Sequence, residues 1–295
     1  MGNACEEDVT TYARIVTKAC QLLHGCPRPA WGTRSFMTTP ARVTDILAAA
    51  ETLLDAHAFA DYCPIGLQVA GRREHVTTIA TSVSCTLDVF ERAAEAGAEL
   101  VLTHHGMFWK GDSQVVDAVT RERLALLFDH GMTLAAYHLP LDAHPEIGNN
   151  ALLCDVLELT RSAEPFARHG GRAIGCIGVT RGEGLPLDAF VERVRVALDG
   201  RAPLVLGAPR DMVHRVAVCS GGSARDVNEA AALGCDVFIT GEPREETDAL
   251  ARELDITFLA AGHHATETFG IRALGATLAD RFGIGHVFVD SANPV

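Results

Sequence analysis

Short apolar runs alternate with amphipathic segments along most of the chain. The stretches 77–83, 99–103, 132–137, 174–179, 213–219, 236–240, 256–261 and 286–289 are brief and rich in β-branched residues, as buried strands are. Apolar positions at helical spacing predict helices near 86–96, 113–130, 148–158, 186–199, 223–233, 243–253 and 266–282, with Ser223-x-x-Asp226 as a cap. A further helix begins after Thr39-Pro40 and carries Ile46, Leu47, Ala50, Leu53 and Leu54. This alternation predicts an α/β fold with parallel βαβ units. Residues 1–38 break the pattern: they are polar, turn-forming at 25–32 and without sustained periodicity, so a loosely ordered extension is expected, with Met37 a candidate natural start.

The pattern repeats. Ala94-Glu95-Ala96-Gly97-Ala98-Glu99-Leu100-Val101-Leu102-Thr103 recurs 137 residues later as Ala231-Ala232-Leu233-Gly234-Cys235-Asp236-Val237-Phe238-Ile239-Thr240. At an offset of 125, His138 and Asp142 match His263 and Glu267. Two similar α/β lobes are therefore expected, at 39–160 and 213–295, joined by a connecting region at 161–212. Open sheets build their sites at the carboxyl ends of strands, so each lobe is expected to present its polar residues there.

Composition narrows the function classes. The 295 residues carry 25 Lys+Arg against 38 Asp+Glu, a formal charge of −13 that disfavours nonspecific nucleic-acid binding. The apolar runs fall far short of the roughly 20 residues that span a bilayer, so no membrane partner is expected. Nine scattered cysteines include no C-x-x-C, and the N-terminus lacks the basic and apolar regions of a signal peptide; a reducing cytoplasm is the expected setting.

Candidate chemistry gathers at predicted strand ends: Thr103-His104-His105-Gly106, Tyr137-His138 through Asp142-Ala143-His144, Thr240-Gly241-Glu242, and Gly262-His263-His264-Ala265-Thr266-Glu267. Imidazole and carboxylate together suit a divalent ion such as zinc, manganese or iron, and the missing thiolate motif argues against structural zinc. If a helix starts near Thr266, Glu267 comes round beneath His263 and its two oxygens could bridge two ions, with Asp142 a second carboxylate. A lone histidine is more often a satisfied core or turn residue, and His24, His57, His75, His130, His169, His214 and His286 are read that way. His264, His144 and Glu242 stand between: partners of the ligands, proton donors to substrate, or turn residues. Gly148-Asn149-Asn150 reads as a helix cap, and Trp109 as a loop-packing residue. No P-loop, nucleophile elbow or dinucleotide fingerprint is present.

Four ordered motifs over about 40–295 resemble the GTP cyclohydrolase 1 type 2 homologues, the Nif-three-like family, in its short bacterial form: Asp61-Tyr62-Cys63-Pro64-Ile65-Gly66-Leu67-Gln68-Val69, Thr103 to Trp109, Leu141 to Asn150, and Gly262 to Glu267. The resemblance implies a two-lobed α/β fold, ring-shaped homohexamers and a dinuclear centre in the cleft between the lobes, held by His104, His105, Asp142, His263 and a bridging Glu267. The reading adopted is a metal-dependent hydrolase that acts on a nucleotide or other small metabolite through a metal-bound hydroxide, with Glu267, His264 and His144 as the catalytic candidates: Glu267 to fix the ions, His264 or His144 to pass a proton to the leaving group. The rival readings are a phosphoesterase or amidohydrolase on another small substrate and a non-enzymatic metal-binding or protein-interaction scaffold. Ile65 departs from the pattern, standing where the family often has Asn.

Overall fold

The computed structural model describes residues 39–291 and 293–295; the expected extension at 1–38 and the candidate start at Met37 lie outside the described residues. The elements run α1 (Val43–Leu53), β1 (Gly66–Val69), β2 (Thr78–Ser82), α2 (Leu87–Glu95), β3 (Leu100–Thr103), α3 (Ala118–His130), β4 (Thr133–Ala136), α4 (Leu139–Asp142) and α5 (Asn149–Val156). They continue β5 (Phe166–His169), β6 (Arg172–Val179), α6 (Leu187–Ala197), β7 (Leu204–Gly207), β8 (Arg215–Val218), α7 (Val227–Ala232), β9 (Val237–Thr240), α8 (Thr247–Glu253), β10 (Thr257–Ala260), α9 (His263–Phe282) and β11 (Gly285–Phe288).

One sheet has the order β11-β2-β3-β4-β1, all parallel except β1, which runs antiparallel to β4. The second runs β7-β10-β9-β8-β6 and ends on Thr160–Arg161, with β5 paired to β6. Its central strands β8, β9 and β10 are parallel. The central strands β3, β4, β9 and β10 are buried at every position, because both faces of a parallel sheet are covered by helices. In the first sheet Ile79, Leu100 and Leu102 face α1 and α9, while Ala80, Val101 and Leu134 face Phe90 of α2 and Leu127 of α3.

The duplication is visible in strand register. Ile79 pairs with Leu100, and 137 residues on Val216 pairs with Val237. The halves are not consecutive in sequence, however. Gly285–Phe288 joins β2 in the first sheet, and 172–179 and 204–207 build the second, so sheet membership does not follow the expected bounds of 39–160, 161–212 and 213–295. The reason is α9: 20 residues long, it starts at the end of β10, packs Ile271, Leu274 and Leu278 into the core of the first sheet, and delivers the chain to β2.

Candidate metal centre

The motif residues follow the carboxyl ends of parallel strands. His104 and His105 extend β3, where their N–H groups donate to Ser82 O (3.1 Å) and Val83 O (2.7 Å). Asp142 closes the short helix after β4. His263 and Glu267 lie one turn apart at the start of α9, which begins at His263 and not near Thr266 as the spacing suggested. Four residues apart on a helix, these two side chains share a face.

Glu267 stands at the centre, its side chain 3% exposed. Its Oε1 lies 3.5 Å from His104 Nε2 and 3.3 Å from His263 Nε2, and its Oε2 lies 3.0 Å from His105 Nε2. Asp142 Oδ2 lies 3.5 Å from His104 Nε2. Gly221, at φ 67°, makes room: a Cβ there would sit 2.2 Å from Glu267 Oε1. The other atoms of these side chains are already engaged. His104 Nδ1 bonds Tyr137 O at 3.1 Å, which aims Nε2 at the carboxylates. Asp142 Oδ1 accepts from Asn149 Nδ2 (2.8 Å) and Ser220 Oγ (3.1 Å), leaving Oδ2 to face His104.

These residues fit a metal. His104 Nε2 and Glu267 Oε2 are fully buried without a hydrogen-bond partner, an arrangement native proteins rarely tolerate unless another group completes it. Ligands about 2.0–2.1 Å from a tetrahedral ion stand about 3.3 Å from one another, close to the separations found here. The electrostatics agree. Burial alone would lower the pKa of His104, but Asp142 and Glu267 raise it to about 9. Burial would likewise raise Glu267, yet His105 and His104 hold it well below the usual carboxylate range. For His263, burial opposes and Glu267 with Glu242 prevails, again to about 9. The cluster thus attracts positive charge.

Beside it lies a second unit. Asp61, its side chain 1% exposed, accepts from His138 Nδ1 (2.8 Å), Leu139 N (2.9 Å) and Tyr62 N (2.6 Å). The His138 ring packs 5.0 Å from that of His104 and 5.2 Å from that of Trp109. His104, His105 and His138 can also offer nitrogens within 4.8 Å of one another. A cavity of about 400 Å³ opens on the cluster, lined among others by Tyr62, Trp109, His138, Asp142 and Glu267.

The structure therefore brings His104, His105, Asp142, His263 and Glu267 together, with Glu242 Oε1 3.5 Å from His263 Nδ1. It places the two other histidines differently. His144 Nδ1 accepts from Glu146 N and Ile147 N, both at 3.1 Å, as a turn residue does. His264 Nε2 pairs with Asp290 Oδ1 at 3.0 Å, and the ring lines a separate cavity of about 190 Å³ that His105 and His263 share. Asn149 and Asn150, read as caps, are buried braces: Asn149 Oδ1 takes Gly270 N at 2.7 Å, and Asn150 ties Ile174 O to Ser220 N. Ser223 does not cap its helix but bonds Cys219 Sγ at 2.9 Å. Trp109 both anchors its loop through Gly106 O and lines the cavity. Ile65 packs on the apolar core of the first sheet. Sequence reasoning missed Asp61 as a partner, and the only signal was its place in the Asp61-to-Val69 motif.

Comparison with known proteins gives the chain its family. The sequence model of Duf34/NIF3 (NGG1p interacting factor 3) matches residues 41–294. A Pseudomonas aeruginosa protein named GTP cyclohydrolase 1 type 2 homolog is 42% identical over 252 residues, 85% of this chain and 98% of its own length. An Allochromatium vinosum protein of the same name is 42% identical over 253 residues, 85% of this chain and 97% of its own. The solved structure of protein ybgI, described as of unknown function, superposes with a TM-score of 0.81 at 38% identity, covering 86% of this chain and all (100%) of that one. The chain belongs to the Duf34/NIF3 family.

Proposed function

We propose that the protein is a metal-dependent hydrolase that holds two divalent ions per chain and acts on a small-molecule substrate, a nucleotide among the candidates. The observation that carries this reading is the convergence of three imidazoles from both repeats on one buried carboxylate, Glu267, with Asp142 against His104 and two buried polar atoms left without a hydrogen bond. His104 and Asp142 would hold one ion, His105 and His263 the other, and Glu267 would lie between them. When bound, such ions supply Lewis-acid polarisation of a substrate oxygen and a water of lowered pKa.

The remaining work falls to the chain. Asp61 fixes the tautomer and direction of His138, so His138 Nε2 on the cavity side can take and return a proton, a role for which its position suits it better than those of His144 or His264. Tyr62 and Trp109 wall the cavity and restrict water. Asn149 and Ser220 keep Asp142 aimed at His104. In the same reading the chain works as a cytoplasmic homohexamer, which light scattering would weigh as six chains of 31.4 kDa.

Elemental analysis of protein purified without chelator tests the reading and identifies zinc, iron or manganese; close to two ions per chain is expected, and a reproducible zero rejects it. A product screen with GTP, phosphodiesters and cyclic amides then compares the wild type with His104→Ala. Turnover that survives in the variant would place the chemistry elsewhere.

A further inference from the structure

The β5–β6 hairpin contributes His169 and Ile174 to the lining of the large cavity. Ala60 N donates to Gly170 O at the hairpin tip (3.3 Å), so the tip rests beside the Asp61-Tyr62 segment. Within β5, Ala167 adopts φ 52°, a left-handed conformation that residues with a Cβ seldom take. Its N–H is taken by Glu229 Oε2 at 3.2 Å. Two residues on, His169 reaches the cavity, and Asp226 Oδ2 holds its Nε2 at 2.8 Å. Asp226 and Glu229 both follow the Ser220-Gly221-Gly222-Ser223 loop that backs Glu267. The same short segment thus aims the hairpin and grips its imidazole.

No Lys or Arg lines this cavity among the described residues, and its other imidazoles, His105, His138 and His263, belong to or pack on the cluster. Ser220 Oγ is spent on Asp142 and Ser223 Oγ on Cys219. Among the described residues His169 is the one basic side chain of this lining outside the cluster and the rings packed on it. With Nε2 committed to Asp226, its Nδ1 is left to donate. The hydrogen bond to Asp226, against opposition from burial, raises the His169 pKa above its ordinary value, which favours the imidazolium and a charge-assisted bond.

We propose that His169, gripped by Asp226, binds an oxyanion of the substrate, phosphoryl or carboxylate, in the cavity that opens on the metal cluster. This rests on the metal-site reading above, and it makes the substrate an anion with its reacting group at one end and its recognised group at the other.

Calorimetric titration of metal-loaded protein with inorganic phosphate and, separately, malonate tests it, alongside elemental analysis of each variant. His169→Gln should weaken at least one of the two anions tenfold or more with metal content unchanged, whereas His169→Lys, which keeps the charge, should retain more of that binding. Phosphate weakened alone assigns a phosphoryl group, and malonate alone a carboxylate. Unchanged affinity for both anions in folded His169→Gln, or no anion binding by the wild type, overturns the proposal. Anion binding that depends on His169 in a wild type found to hold no metal would sustain the proposal and strike the metal reading alone.

Discussion

Glu267 has imidazoles on three sides, and its charge, more than its volume, is what they require. Glu267→Gln is expected to cut bound metal at least tenfold, while His264→Ala, whose ring faces Asp290, keeps the wild-type content; equal retention in elemental analysis would remove the bridging role. Asn149→Ala strips a donor from Asp142 and an acceptor from Gly270 N, both buried. Losses of this kind lower metal affinity by roughly 10–100-fold, to be read by competition with a chromogenic chelator. The five ligand candidates were legible because imidazole and carboxylate recur at equivalent strand ends. Direction was not: adjacent His263 and His264 diverge once the helix begins, and nothing in a Gly-Asn-Asn triplet tells a cap from a buried brace.

Helix α9 meets the first sheet closely enough that side-chain size decides the contact. A Cβ on Gly275 would lie 2.3 Å from His286 Nε2 and 2.5 Å from Thr81 Cγ2, so Gly275→Ala is expected to destabilise by roughly 1–3 kcal/mol in urea melts. The same joint carries a pH dependence. Burial, with Arg272 adding to it, pushes His286 down to about 4, and its Nε2 bonds Thr81 Oγ1 at 2.7 Å. The unfolded chain takes up this proton near pH 6.5, so protonation favours unfolding: the stability His286 contributes is complete above about 6.5 and is lost as pH falls toward 4, by at most about 1.4 kcal/mol per unit. In His286→Gln that stretch of the stability profile should be shallower; an unchanged slope assigns the dependence elsewhere. Buried parallel strands such as β3 and β9 were plain in the sequence because both faces are apolar. β1, β5 and β7 were not, since they are four-residue strands with exposed or half-buried positions.

Across the molecule the site joins the two sheets, so the cations proposed for it should also hold the fold. Chelation would leave Asp142 and Glu267 to the neighbouring imidazoles alone for counter-charge, and the melting temperature is expected to fall and to recover when ions return; a ligand at a hundred times its Kd contributes about 2.7 kcal/mol. An unchanged melt in stripped protein would separate the cluster from stability. The path of α9 into the first sheet has a further consequence for biosynthesis. A nascent chain that has reached only α8 already displays His104, His105 and Asp142, yet it lacks both His263 and Glu267, and β2 still waits for β11 at its edge. In the metal reading a complete centre therefore forms only once α9 has left the ribosome, and a chain truncated before that point keeps His104, His105 and Asp142 without the carboxylate that gathers the imidazoles.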